Sequence, residues 1–143
     1  MAMTKGLFHI FLACTDIERS TKFYLDCFEG ARVTYTFEID NNLISMLDIG
    51  NGIELELLQV QGPLAQFKNE RWAHFAVDCS DLQGQFDRMV AAGARVKQPI
   101  KNDVVLNGRN GHPNTYCAGA FLYGPDDEII ELCYSDNKWP WRD

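Results

Sequence analysis

Three histidines are all the chain contains, and two of them, His9 and His74, stand early in stretches that repeat each other. His9-Ile-Phe-Leu-Ala-Cys14-Thr15-Asp16-Ile17 lies over His74-Phe-Ala-Val-Asp-Cys79-Ser80-Asp81-Leu82, pairing His with His, Cys with Cys and Asp with Asp. Gly-Ala-Arg-Val occurs at 30–33 and again at 93–96, and Leu55-Glu56-Leu57 lies over Ile130-Glu131-Leu132. Each half thus carries a His early and a Glu late, both set in apolar sequence. An ionised carboxylate between aliphatic neighbours is costly to bury without a counter-ion or a metal. Two imidazoles and two carboxylates suit a borderline divalent cation such as Ni²⁺, Zn²⁺, Co²⁺, Mn²⁺ or Fe²⁺. Four protein ligands in an octahedral field leave two positions for water or a bidentate oxygen substrate, which makes the centre catalytic. The expected ligands are His9, Glu56, His74 and Glu131. Glu54 shares the strand side of Glu56 by the period of two and is the alternative at that place. His112, in a Gly-rich loop, reads as a surface residue.

The elements that must position these residues repeat as well. Leu7–Cys14 and Trp72–Cys79 read as strands buried on both faces. Thr15-x-x-Glu18 and Ser80-x-x-Gln83 match the capping box and predict a helix after each strand. The apolar stripes are Ile17, Tyr24 and Phe28 in the first helix, and Leu82, Phe86, Met89 and Val90 in the second. Gly30 and Gly93 close them. The first half continues with strands Val33–Ile39, Leu43–Ile49 and Ile53–Val60, joined by an Asn41-Asn42 turn and a Gly50-Asn51-Gly52 turn. The second continues with Val96–Ile100, a polar loop, Thr115–Tyr123, a turn over 124–127, and Glu128–Ser135. The fold class is therefore α+β: two tandem β-α-β-β-β modules forming a cupped, barrel-like mixed sheet around a metal site. Module one spans about 5–60, a linker 61–71, module two about 72–136, and a tail 137–143 that is either packed or a lid.

At 143 residues and 46% apolar content, the chain has the size of a single compact domain. Its net charge of −7 and pI near 4.9 repel phosphate backbones and anionic membranes, so neither nucleic acid nor membrane is an expected partner. The longest apolar run, Leu7–Cys14, falls far below the ~20 residues of a membrane span, and no signal-peptide pattern opens the chain. A cytoplasmic location is expected. The five cysteines are an odd number without a Cys-x-x-Cys pair, and read as reduced, mostly buried small hydrophobes.

On these residues the chain resembles the vicinal oxygen chelate superfamily, the group of glyoxalases, bleomycin-resistance proteins and extradiol dioxygenases. The matching stretches are His9 to Tyr24, Ile53-Glu-Leu-Glu56-Leu-Leu, His74-Phe-Ala-Val-Asp, and Gly124-Pro125-Asp126-Asp-Glu-Ile-Ile-Glu131-Leu. The His-Glu-His-Glu set is similar to that of glyoxalase I, a lactoylglutathione lyase. The resemblance implies a divalent-metal enzyme, Ni²⁺ or Zn²⁺ first, in which Glu131 or Glu56 moves a proton between adjacent carbons through a metal-bound enediolate. It also implies a homodimer, a site within one chain or shared by two, and a small substrate with vicinal oxygens, such as the hemithioacetal of methylglyoxal with glutathione or another thiol. Ala13 stands where such glyoxalases usually place an Arg, and Leu57-Leu58-Gln59-Val60 carries no Asn. Arg109 is then the candidate anion clamp, with Trp72 and Phe121 among the aromatic residues, Trp139 and Trp141 included, that would line a substrate cleft. Other activities on the same scaffold are an epimerase of the methylmalonyl-CoA type, a non-catalytic antibiotic-binding protein and, least favoured because a fourth protein ligand takes a position needed for O₂, an Fe²⁺ extradiol dioxygenase.

Overall fold

The computed structural model of the protein describes residue 3, residues 8–64, 74–107 and 111–136, and residue 139. The chain divides into two compact units, Met1–Trp72 and Ala73–Asp143. The first contains β1 (His9–Cys14), α1 (Ile17–Cys27), β2 (Arg32–Ile39), β3 (Asn42–Asp48) and β4 (Glu54–Gln59). The second contains β5 (Phe75–Asp78), α2 (Leu82–Ala91), β6 (Arg95–Leu106), β7 (Thr115–Tyr123) and β8 (Ile129–Tyr134). The doubled β-α-β-β-β order and the α+β class are those expected from the sequence. Each unit has one four-stranded sheet, ordered β1-β4-β3-β2 in the first and β5-β8-β7-β6 in the second. The sheets are mixed: the first strand of each unit runs parallel to the last, and the other neighbours are antiparallel.

Aspartates start both helices. The Asp16 carboxylate accepts the Arg19 N–H and the Asp81 carboxylate accepts the Gly84 N–H, so the caps lie one residue beyond the expected Thr15 and Ser80. A carboxylate reaches the same amide as a hydroxyl and adds negative charge at the helix N-terminus; such a cap contributes about 1 kcal/mol. The Thr15 hydroxyl instead accepts from the Arg19 guanidinium. At the far end of α2, Gly93 at φ 105° allows its own N–H to reach the Val90 carbonyl and that of Ala94 to reach the Met89 carbonyl.

One helix covers one face of each sheet. In the first unit Leu47, Leu55 and Leu57 are fully or almost fully buried with Tyr24 and Cys27 of α1; in the second, Ala120, Leu122, Ile130 and Leu132 are buried with Met89 of α2. This corrects the expectation that β1 and β5 are buried on both faces. Phe11 is 41% exposed, and Ala76 and Asp78 are exposed, because among the described residues the helix of each unit covers only the other face of its sheet. Val90 also turns away from the packed stripe.

Two further boundaries differ. The β2–β3 hairpin turns at Asp40-Asn41, both with positive φ, and pairs Ile39 with Asn42, one residue earlier than expected. Strand β6 continues to Leu106 through the stretch read as a polar loop. It is an edge strand with repeated register shifts, which tolerates Pro99 and solvent-facing polar side chains. All five cysteines are free; Cys14 and Cys27 are buried, whereas Cys79, Cys117 and Cys133 are partly exposed. No described helix is long and apolar enough to cross a membrane.

Candidate functional site

Parallel pairing sets Phe11 opposite Glu56 in the first unit and Ala76 opposite Glu131 in the second. His9 and His74 each stand two residues before that partner. With side chains alternating along a strand, this places a His and a Glu on one sheet face, at the same register, in both units. In each case it is the face opposite the helix. His9 Nε2 lies 3.6 Å from Glu56 Oε2, with the two side chains 30% and 18% exposed. His74 Nε2 lies 2.8 Å from Glu131 Oε2, close enough for the imidazole N–H to donate a hydrogen bond. His9 Nδ1 is buried and has no hydrogen-bond partner among the described residues.

The alternative at Glu56 is engaged elsewhere: Glu54 accepts a 2.9 Å hydrogen bond from the Thr34 hydroxyl. Phe121 pairs with Glu131 across β7 and β8 and meets the His74 ring edge-on at 5.4 Å. His112 is exposed, as expected. Trp139 donates its indole N–H to Asp78 at 2.9 Å. Arg109, Trp72 and Trp141 lie outside the described residues, as does most of the linker.

The ladder orders the face of the first sheet opposite α1 into three cross-strand rows. His9, Glu54, Asp48 and Arg32 form a charged row, in which Arg32 faces Asp48 at 3.6 Å. Phe11, Glu56, Met46 and Tyr35 form the next, and Ala13, Leu58, Ile44 and Phe37 the third. Tyr35 stacks on Phe37 with ring centroids 5.4 Å apart. Glu56 therefore stands where charged residues give way to apolar and aromatic ones, and neither of the latter rows contains a cation. In the second unit the corresponding rows are Ala76, Glu131, Phe121 and Gln98, then Asp78, Cys133, Gly119 and Lys101.

Imidazole nitrogen and carboxylate oxygen are donors that fit a borderline divalent cation. Each unit by itself supplies two such donors, and among the described residues no third His, Cys, Asp or Glu completes a group within a unit. One contact was not read from the sequence: the Thr34 hydroxyl to Glu54. Burial first, then the charge of Glu131, push the Cys133 thiol up to about 12.

Burial also pushes Cys79 up to about 11, opposed by a backbone hydrogen bond at Cys133 and reinforced by Asp78 and Asp81. The unfolded chain ionises this thiol first, near its ordinary 9.0. Its contribution to stability is whole below that pH and is lost as pH rises through 11. Cys79→Ala is expected to flatten the fall in thermal midpoint over that interval, and an unchanged slope would contradict this.

The sequence matches the profile of the Glyoxalase/Bleomycin resistance protein/Dioxygenase superfamily over residues 6–131. The chain belongs to this superfamily. Among solved structures, this member of the superfamily is similar to the trypanothione-dependent glyoxalase I of Leishmania major, at 21% identity and a TM-score of 0.66, covering 92% of this chain and 87% of that one. It is also similar to the fosfomycin resistance protein FosX of Listeria monocytogenes, solved with Mn(II) and sulfate, at 17% identity and a TM-score of 0.65, covering 93% and 94%. Glyoxalase I of Zea mays gives 18% identity and a TM-score of 0.64 over 89% of this chain, which spans only 43% of the maize protein. At these identities the likeness is one of fold. No curated protein sequence matches the chain.

Proposed function

We propose that this superfamily member is a glyoxalase I-like, divalent-metal-dependent isomerase or lyase acting on a small substrate with vicinal oxygens. The observation that supports it is the recurrence of a His–Glu pair at one register position in both units, His9 with Glu56 and His74 with Glu131. These four side chains would hold the cation, with Ni²⁺ or Zn²⁺ the first candidates. A cation held there supplies Lewis-acid polarisation of adjacent substrate oxygens. The work of the chain is then proton transfer: a carboxylate, Glu56 or Glu131, takes the proton from the carbon beside a carbonyl and returns it to the neighbouring carbon. Phe121 holds the His74 ring in place, while Phe11, Met46, Tyr35 and the Ala13 row receive the apolar body of the substrate and keep water from the transferring proton. The substrate would be a small molecule such as the hemithioacetal of methylglyoxal with glutathione or another thiol. The protein would act in the cytoplasm as a homodimer, with Arg109 and Trp72 as further substrate contacts.

The test is metal content followed by turnover. Protein purified without chelator is expected to hold stoichiometric transition metal. With methylglyoxal and glutathione, or a smaller thiol, it is expected to form thioester absorbance that a chelator abolishes. Metal without thioester for any thiol or cation sinks the hemithioacetal substrate; failure to retain any metal sinks the four-residue centre.

A further inference from the structure

In the parallel ladder of the first unit the residue directly beside His9 is Glu54, yet the imidazole faces Glu56, two residues further along β4, at 3.6 Å. Both carboxylates stand on the same side of that strand, so His9 has two acidic neighbours to choose from. Glu54 is drawn the other way. The Thr34 hydroxyl reaches it from β2, two strands over, at 2.9 Å, and lies 3.2 Å from the Met46 carbonyl on the strand between them. A hydroxyl carries a single proton, and the closer, charged acceptor takes it. Thr34 occupies the register shift between Val33 and Tyr35, where β2 has one residue more than β3, and a bulge of this kind re-aims a side chain. Asp48, directly opposite Glu54 on β3, accepts the Gly50 N–H at 2.8 Å and faces Arg32 at 3.6 Å. Like charges directly opposite each other repel, so a Glu54 released from Thr34 turns toward His9. The bulge recurs in the second unit between Val96 and Gln98, but there Lys97 holds the place of Thr34 and Ile129 that of Glu54. Hydroxyl and extra carboxylate thus occur together in the first unit and are both missing from the second.

We propose that Thr34 is a positioning residue whose hydroxyl holds Glu54 away from His9, so that the first unit offers a cation one carboxylate, Glu56, instead of two. This rests on the reading of His9 and Glu56 as ligands. Affinity for a cation rises with the number of charged ligands around it. Each further protein ligand also takes a position that water or the vicinal oxygens of a substrate would use. A Glu54 free to swing would therefore hold the cation more tightly and leave less room for the chemistry. The restraint sits on β2, outside the ligand set, so it can be removed without changing a ligand.

The experiment compares Thr34→Val, which keeps the branched shape and loses the donor, with Thr34→Ser, which keeps the hydroxyl, and with Thr34→Val combined with Glu54→Ala. Two quantities are measured on each: the imidazole ¹⁵N shifts of His9 in the metal-free protein, and the Zn²⁺ dissociation constant, by competition with a chromophoric chelator. Thr34→Val is expected to move the His9 resonances and to bind Zn²⁺ about tenfold more tightly, while Thr34→Ser stays within about threefold of the parent. In the combined variant both quantities return to those of the parent, because the carboxylate that Thr34 restrained is gone. Unmoved His9 resonances, or Zn²⁺ affinity unchanged or weakened in Thr34→Val, overturn the proposal. Changes that persist in the combined variant overturn it too, since they then come from the altered bulge and not from Glu54. Glu56→Gln, run alongside, separates the two levels: full Zn²⁺ affinity in it removes the ligand assignment and the proposal with it, whereas lost affinity in it beside an unchanged Thr34→Val removes the role of Thr34 alone. Should Thr34→Val fold poorly, Thr34→Ala removes the donor without crowding and is read the same way.

Discussion

Glu131→Gln and Glu56→Gln are each expected to lower turnover of an active substrate by about 10²–10⁴-fold, the range of a lost general acid–base group, while leaving the fold intact. The exchange keeps the shape and removes the charge. An amide oxygen can still accept from His74 Nε2, 2.8 Å from Glu131, and occupies the same place 3.6 Å from His9 at Glu56, but it offers no charge to a cation and no base to a proton. If both residues are ligands, both variants also lose metal. That loss is visible without turnover: a cation at a hundred times its dissociation constant stabilises the folded protein by about 2.7 kcal/mol, and this thermal shift should shrink or vanish in each variant. The comparison also assigns roles. A variant that keeps its metal-dependent shift but loses turnover identifies the proton carrier; one that loses both identifies a residue whose first task is to hold the cation. Two variants with the full shift and full turnover would show that neither carboxylate belongs to a metal centre.

What the sequence disclosed, and what it hid, follows from the kind of signal each feature leaves. The doubled fold was legible because His9 and His74, Glu56 and Glu131 recur at matching places, and a repeat of that kind survives divergence of the residues between. Their sharing of a face follows from the period of two once the strands are known. The burial of β1 and β5 on both faces was misread, because apolar composition reports burial without saying how many layers cover a sheet; among the described residues one helix per unit covers one face, and Phe11 and Ala76 are left on the other. The caps at Asp16 and Asp81 were missed by one residue because Thr-Asp and Ser-Asp each offer two acceptors, and only backbone geometry chooses between them. Strand β6 was cut short because an edge strand needs only half its polar groups paired and tolerates the polar residues of a loop. Cys133 was misread differently: a cysteine in an apolar strand reads as core unless the alternation is carried through, which puts it on the side of Glu131 and leaves it partly exposed.

Leu132→Ala is expected to cost the protein about 3 kcal/mol, within the 2–5 kcal/mol range for truncating a buried leucine. Leu132 has no exposed surface and pairs with Val77 on one side and Ala120 on the other. Its neighbours on the packed face of β7, Ala118 and Ala120, are too small to fill the space it would leave. The cavity should therefore persist and carry its full penalty, a large part of the 5–15 kcal/mol by which a domain is usually stable. In denaturant this appears as a lower midpoint with an unchanged slope. The alternation of the strand adds a second consequence. Leu132 stands next to Glu131, which faces the opposite side, so any relaxation of β8 toward the cavity tilts the carboxylate away from His74 Nε2, 2.8 Å away. Metal affinity should then fall in Leu132→Ala, although no atom of the proposed site has been changed. Leu57→Ala occupies the matching place in the first unit, beside Glu56. It should match Leu132→Ala in lost stability and likewise lower metal affinity; unchanged affinity in both variants would show that neither carboxylate's orientation depends on the packing beneath its strand.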